Sequence, residues 1–442
     1  MEMNARELAV DILSRVLYQG AYSNLALDQG FKSQPLKEED RGLVTEIVYG
    51  TLKHLLTLDE LLKRHMSIPL EKVERQILLI LRISIYQMKY LDRIPPYAVI
   101  NEAVNMTKKK SKKASGFVNG VLRGFVRKGE ESHTFENEME EAVFTHSFPQ
   151  WLITLFQKQY PENYQLILEG LNERPAMTFR VNTLKSTREE ALTRLLALGY
   201  EATATDLSPY GIEIIGGRGV LSNPLFQEGI LTVQDESSML VAPLLVDTSG
   251  PYLDLCAAPG GKATHLVELT KGLQPVYAFD LYESKLKLIR QTKERLGLAP
   301  LQVEKNDARV FMPSFKEGAQ VLLDAPCSGL GIIRKKPEIK YTKNQEELAS
   351  LVALQRELLT VAKDYIPKGG TLLYSTCTLN RSENEENLRW FLKNEKDFEV
   401  VPIALGQGSN LQYTEEGFVT ILPGKTMDGF FIGKLRRKLG ES

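Results

Sequence analysis

Leu253-Asp-Leu-Cys-Ala-Ala-Pro-Gly-Gly-Lys262 is the stretch that decides the fold class. The apolar run Pro251–Leu255 before it reads as a short buried strand, and Gly261–Thr270 reads as a helix. Between them, Gly260 and Gly261 permit a tight turn and close backbone approach to a ligand. The helix start offers unpaired backbone N–H groups. Two nucleotide signatures are missing. A phosphate loop would need Gly at the position of Cys256 and Ser or Thr at the position of Ala263. A dinucleotide fingerprint would need Gly-x-Gly-x-x-Gly, which this turn lacks. The turn suits a nucleoside-like ligand better than a polyphosphate.

From about Gln234 onward, strand and helix alternate. Strands are expected at Pro251–Leu255, Val276–Asp280, Leu301–Lys305, Val321–Leu323 and Gly370–Tyr374. Helices are expected at Gly261–Thr270, Glu283–Leu296 and Lys343–Tyr365. That alternation predicts a doubly wound parallel sheet, an α/β Rossmann-like domain over residues 236–442. Open sheets of this kind build their sites at the carboxyl ends of the strands. Asp280, Asp307 and Asp324 each fall at or just past such an end. One carboxylate there is often only a loop cap. Three beside the glycine turn make a ligand pocket: Asp280 for ribose hydroxyls, Asp307 for an adenine edge. The ligand that fits is S-adenosyl-L-methionine.

The three cysteines share this placement. Cys256, Cys327 and Cys377 each follow an apolar run, in Cys256-Ala257-Ala258-Pro259-Gly260-Gly261-Lys262, Asp324-Ala-Pro-Cys-Ser-Gly329 and Tyr374-Ser-Thr-Cys-Thr378. Enzymes that methylate an exocyclic amine carry Asp/Asn-Pro-Pro-Tyr/Phe where this chain has Asp324-Ala-Pro-Cys327. A cysteine there points to attack on carbon. C5 of a pyrimidine is a poor nucleophile, and a thiolate added to C6 makes C5 enamine-like and able to take a methyl group. Asp324 is placed to hydrogen-bond N3. Spacing alone does not choose between Cys327 and Cys377 as the attacking sulfur. Cys256 reads as a small packing residue under the turn, and Lys262 as either a helix-surface lysine or a site residue.

The bulk properties describe an ordinary globular protein with two or three domains: 442 residues, 25% charged, 43% hydrophobic, formal net charge −1. The charge is uneven. Residues 1–130 hold 21 Lys/Arg against 15 Asp/Glu, and five of the lysines are Lys108, Lys109, Lys110, Lys112 and Lys113. Acidic Glu130–Glu141 follows. Three cysteines 71 and 50 residues apart, with five scattered histidines, form neither a disulfide framework nor a zinc site, so no metal is expected. Glu2, Arg6 and Glu7 break any leader-like apolar core, and there is no apolar run of about 18 residues. A cytoplasmic, reduced, monomeric protein that avoids membranes is expected.

Residues 1–130 carry helical periodicity over Ala5–Tyr18, Arg41–Leu62, Val73–Tyr90, Pro96–Lys109 and Ala114–Arg127, an all-α domain of about seven helices. Leu81-Arg-Ile-Ser-Ile-Tyr-Gln-Met88, Ile100-Asn-Glu-Ala-Val104 and Phe117-Val-Asn-Gly-Val-Leu122 resemble the NusB-type RNA-binding domain. On that resemblance the lysine run contacts RNA phosphates; without it, a solvated helix end serves equally well. Residues 131–235 mix strands at Pro175–Asn182, Gly211–Ile215 and Gly229–Val233 with helices, a linker and small α+β module. Arg180 and Asn182 there are candidates for single-stranded RNA contact. Arg334, with Lys335, Lys336 and Lys340, is a further candidate, or a plain solvated loop charge.

Phe179-Arg-Val-Asn-Thr-Leu184, Gln234-Asp-Glu-Ser-Ser238, Asp254–Lys262, Asp324–Gly329, Ser375-Thr-Cys-Thr378 and Asp428-Gly-Phe-Phe431 together resemble the RNA cytosine-C5 methyltransferase family, over about residues 175–437. The resemblance implies cofactor contact by Cys256–Lys262, Asp280, Asp307 and Asp324, attack by Cys377 and product release by Cys327. With the NusB-like amino terminus it implies 16S rRNA as substrate. The chain has Arg334-Lys-Lys-Pro-Glu-Ile-Lys-Tyr341 where relatives often carry His-Pro-Asp-Ile-Lys-Trp, so Tyr341 would replace a base-stacking Trp. Another RNA target, or a non-enzymatic RNA-binding factor, are the competing readings. The latter is at odds with the presence of Asp324 and both motif cysteines.

Overall fold

The computed structural model describes residues 3–128, 134–216, 222–246 and 249–440. The chain separates into two compact units, one holding residues 1–172 with 333–342 and the other residues 173–332 with 343–442. The boundary expected at residue 130, with the opening of the acidic stretch, lies outside the described residues. Among the described residues no helix is long and apolar enough to cross a membrane.

The first unit is helical. Seven α-helices run from Ala5–Gln19 to Ala114–Lys128. The expected single helix Arg41–Leu62 is two, Glu38–Lys53 and Leu55–Lys63, which meet at His54. Helix Arg75–Tyr90 is the hub, with Ile77, Leu79, Ile80, Leu81, Ile83 and Ile85 all in the core. Asn4 and Glu7 close a capping box on the first helix, a device worth about 1 kcal/mol. Helices Glu138–His146, Gln150–Gln159 and Tyr164–Gly170 sit in this unit too. Their attachment is explicit: Leu56 N donates to Ser147 Oγ (3.0 Å), Thr57 Oγ1 to Phe144 O (2.6 Å) and Asn172 Nδ2 to His146 O (2.6 Å).

Residues 333–342 complete this unit, although they are distant in sequence from its helices. Lys340 Nζ donates to Lys53 O (3.0 Å), Ser147 O (3.0 Å) and Asn172 Oδ1 (2.7 Å), and lies 3.8 Å over the Phe148 ring. Tyr341 Oη donates to Leu52 O (2.8 Å), and Ser23 N donates to Glu338 Oε1 (2.9 Å). Arg334 and Lys340 are buried. Both therefore leave the set of solvent-facing RNA candidates, and the Tyr341 hydroxyl is engaged with backbone.

The second unit carries two sheets. Strands β1 Thr178–Val181, β2 Ala202–Ala204, β3 Gly211–Ile214 and β4 Leu231–Val233 pair antiparallel in the order β2-β3-β1-β4. Helix Arg188–Ala197, boxed by Thr187 and Glu190, packs Ala191 and Leu195 against Phe179, Val181 and Ile212. Phe179 is fully buried in this core.

The larger sheet comprises β5 Tyr252–Asp254, β6 Val276–Asp280, β7 Leu301–Lys305, β8 Gln320–Asp324, β9 Thr371–Thr376, β10 Phe398–Val400, β11 Leu411–Tyr413, β12 Val419–Ile421 and β13 Phe430–Arg437. Its order is β11-β12-β13-β9-β8-β5-β6-β7, with β10 on β13. β5 to β9 pair parallel, as expected from sequence; β10 to β13 add an antiparallel half. Side chains alternate between faces with period two. Tyr252, Leu322 and Leu373 join one core with helices Gly261–Leu269 and Glu283–Leu296, while Leu253, Val321, Leu323 and Tyr374 join the other with Gln345–Ala362 and Glu385–Asn394. The chain winds outward through β6 and β7 and then returns beside β5 as β8. The order reverses at β5/β8, the position at which open α/β sheets bind their ligands.

Candidate active site

The site is built at that reversal. After β5 the chain turns through Cys256–Gly260, with a cis Ala258–Pro259 bond and Gly260 at φ 102°. A side chain is excluded at Gly260: its conformation is left-handed, and a Cβ would lie 3.1 Å from Ile289 Cγ2. Helix Gly261–Leu269 starts at once, with no side chain capping it. Asp254, fully buried beneath the turn, has its carboxyl pushed up to about 8 by burial and by repulsion from Asp324, against the pull of Lys262.

Lys262 swings back from the first helical turn. Its Nζ bonds Asp324 Oδ2 at 2.6 Å and lies 5.2 Å over the Phe430 ring. Burial pulls this ammonium down, but Asp324 and Asp254 hold it above the usual lysine value. Ser375 Oγ donates to the other oxygen of Asp324 (2.7 Å). Asp324 and Ser375 are register partners on β8 and β9, so this bond follows from the pairing.

The segments that follow these two strands bring two thiols together. Cys327 and Cys377 lie 50 residues apart in sequence, with sulfurs 3.4 Å apart. The Cys327 thiol is pushed well up by its hydrogen bond to Cys377, by burial and by the nearby Cys377 and Glu383 charges. Cys256 stands apart from this pair, half-buried against Leu253, Leu255 and Phe279. Its thiol is raised by burial and by Asp254 and Asp280, which disfavours the reactive thiolate.

Two glycines permit the loops to cross. A Cβ on Gly331 would lie 1.9 Å from Gly429 O, and one on Gly429 would lie 2.8 Å from Gly331 Cα. Gly331 N donates to Cys377 O (3.0 Å) and Gly429 N to Gly331 O (2.9 Å).

Asp280 ends β6, nearly buried, and accepts Tyr282 N (3.1 Å). Asp307 lies two residues past β7 and is gripped by Arg309, Nη2 to Oδ2 at 2.7 Å, which holds its carboxyl below the usual range. The arrangement suits a nucleoside with a charged tail: a turn closed by two glycines, a helix start and acidic strand ends. Among the described residues no group of three His, Cys, Asp or Glu is placed to hold a metal ion.

Two expected RNA contacts are redirected by the structure. Arg180 is fully buried. It donates to Glu268 Oε1 (2.7 Å) and Oε2 (2.9 Å), Thr264 Oγ1 (3.0 Å), Gly261 O (2.6 Å) and Gln234. It ties the small sheet to the helix that starts at Gly261. Asn182 is equally buried and donates to Gly229 O (3.1 Å) and Leu296 O (3.2 Å). A buried polar group must find partners inside the protein, so these two side chains are structural. Lys108, Lys109, Lys110, Lys112 and Lys113 are exposed, with Lys109 paired to Glu7 at 2.6 Å.

Comparison with known proteins follows the same division. Residues 241–436 match the model for 16S rRNA methyltransferase RsmB/F, residues 3–127 the NusB family, and residues 148–220 the ferredoxin-like domain of RsmF/B-like methyltransferases. A probable ribosomal RNA small subunit methyltransferase B from Bacillus subtilis strain 168 is 38% identical over 98% of this chain and 99% of its own. The chain belongs to the ribosomal RNA small subunit methyltransferase B family. The Escherichia coli O1:K1 / APEC member is 34% identical over 99% of each chain. Among solved structures, PH0851 superposes with a TM-score of 0.83 at 27% identity, over 99% of this chain and 100% of that one. Family membership makes the chain a methyltransferase with a NusB-type helical domain, a ferredoxin-like module and a mixed-sheet methyltransferase domain. Ser375, Glu383 and Phe430 are site features that sequence reading passed over. Ser375 and Phe430 lay inside quoted motifs, while Glu383 carried no signal at all.

Proposed function

We propose that the protein methylates C5 of a cytosine in 16S rRNA, using S-adenosyl-L-methionine and a covalent cysteine–C6 adduct. The observation that carries this reading is the thiol pair, 3.4 Å apart at the ends of β8 and β9, beside the Lys262–Asp324–Ser375 cluster. An enzyme acting on an exocyclic amine has no use for two adjacent thiols. S-adenosyl-L-methionine, when bound, supplies an electrophilic methyl group. The turn Cys256–Lys262, with Asp280 and Asp307, would hold it.

Cys377 is the proposed nucleophile. Its sulfur forms a bond to C6, and the electron pair shifts toward C5, which takes the methyl group. Loss of the C5 proton to water and expulsion of the Cys377 sulfur as a thiolate restore the aromatic ring. Asp324, fixed by Lys262 and Ser375, would hold N3 during addition. Cys327 keeps its proton because Cys377 and burial raise its thiol, and a neutral thiol beside the adduct suits a role in release. A target carbon inside a stacked helix is out of reach, so the cytosine must be unstacked. The exposed lysines at 108–113 would hold RNA phosphates, as on the family resemblance.

The experiment is transfer of labelled methyl groups to unmethylated small-subunit rRNA, with the modified base identified by mass spectrometry. 5-Methylcytosine supports the reading; cofactor binding without transfer to any RNA would sink it. Cys327→Ala is expected to accumulate a denaturant-stable protein–RNA adduct, and Cys377→Ala to form none. The opposite pattern would exchange the two sulfurs.

A further inference from the structure

Glu383 is fully buried, yet it stands outside every motif and contacts neither the cofactor turn nor Lys262–Asp324. Its carboxylate accepts Ser328 N (2.9 Å), Ser328 Oγ (2.5 Å), Gln355 Nε2 (2.9 Å) and Asn380 Nδ2 (3.1 Å). These are neutral donors. A buried carboxylate is costly to desolvate, and a neutral amide could fill the space. A carboxyl group in that place therefore calls for an explanation.

The partners supply one. Ser328 directly follows Cys327, and the same Gln355 Nε2 also donates to Pro326 O (2.9 Å), directly before Cys327. Both neighbours of Cys327 are thus held by Glu383, one of them through Gln355. Ser328 Oγ also bonds Thr378 Oγ1 (2.7 Å), the residue after Cys377. The next residue, Asn384, completes the hold on Cys377. Thr376 Oγ1 bonds Asn384 Oδ1 (2.5 Å), and Asn384 Nδ2 donates to Thr378 O (2.9 Å). Tyr374 Oη anchors the Glu383 backbone through its carbonyl (2.6 Å). Every residue flanking either sulfur is bound, directly or through one side chain, to Glu383-Asn384.

We infer that Glu383 is a positioning residue that fixes the separation of the Cys327 and Cys377 sulfurs, so that addition and release proceed from one rigid arrangement. The inference rests on the thiol-pair chemistry proposed above. Its physical basis is acceptor capacity. Ser328 N, Gln355 Nε2 and Asn380 Nδ2 are donor-only groups, and only a carboxylate accepts all of them. A glutamine at this position would turn its own N–H groups toward a donor, leaving a buried polar group unpaired.

The test compares wild type with Glu383→Gln and with the milder Ser328→Ala, which keeps Ser328 N on the carboxylate and removes the hydroxyl's bonds to Glu383 and Thr378. Two readouts are needed, methyl transfer and binding of phenylarsine oxide, which requires two thiols at fixed close spacing. Glu383→Gln is expected to lose about 100-fold in kcat, the scale of an ångström-level misplacement, with KM for RNA changed less than about threefold. Ser328→Ala is expected to lose about tenfold in kcat, less than Glu383→Gln because Ser328 N stays on the carboxylate. Both should bind the arsenical about tenfold or more weaker than wild type. Folded variants with wild-type kcat, or with unchanged arsenical affinity, overturn the positioning role. Absence of methyl transfer by wild type defeats the proposed function instead, and the arsenical comparison still judges the clasp.

Discussion

At the scale of single residues, the site sets charge against burial. Asp254 shows it most clearly. Its carboxyl lies wholly inside the protein, with Asp324 raising its pKa and Lys262 lowering it, and the balance falls at about 8. A carboxyl raised this far takes up a proton on folding. Its contribution to stability is complete below the ordinary carboxylate value of about 4 and is lost as pH rises through about 8. Asp254→Asn is nearly isosteric and does not titrate. Urea midpoints measured from about pH 5 to about pH 9 should therefore fall more steeply for wild type than for Asp254→Asn. Parallel curves would show that Asp254 is ionised throughout. Asp254 was visible in the sequence only as part of a turn motif. Its burial, and hence its protonation, depends on β6 and β8 closing over both sides of β5.

At the scale of elements, one buried ion pair joins the small sheet to the helix that starts at Gly261. Arg180 on β1 and Glu268 on Gly261–Leu269 both have fully buried side chains, and Gly261 O accepts from the same guanidinium. Removing one member of such a pair strands the other charge and costs about 3–5 kcal/mol, whereas apolar replacement of both is often near neutral. Arg180→Met should therefore lower unfolding stability by about that amount, and Arg180→Met with Glu268→Leu should recover most of it, as read by chemical denaturation. An Arg180→Met variant of unchanged stability but weakened RNA binding would return Arg180 to the RNA-contact role. Sequence pattern located β1, the helix and both charges. It could not show that they meet, because they are 88 residues apart and the pairing depends on how the small sheet packs.

At the scale of the whole molecule, sequence order and structural membership part company at residues 333–342. This segment follows the Cys327 loop in the chain but packs as part of the helical unit, with Lys340 donating to three acceptors there. The fragment 1–172 lacks this segment. Adding a synthetic 333–342 peptide should raise its melting temperature in a dose-dependent way, and a Lys340→Met peptide should do so less. No shift with the natural peptide would show that the helical unit is complete without it. The sequence by itself determined the secondary structure of β5 to β9, the glycine turn, the helical amino terminus and the placement of two motif cysteines just past strand ends. These are local matters of period, turn residues and residue type. Tertiary structure alone decided that Cys327 and Cys377 lie within one contact distance, that Glu383 binds both of their loops, and that Arg180, Asn182, Arg334 and Lys340 face inward. The reason is physical. Whether a charged or polar side chain meets solvent or a partner depends on elements far away in the chain, and a linear pattern does not carry that information.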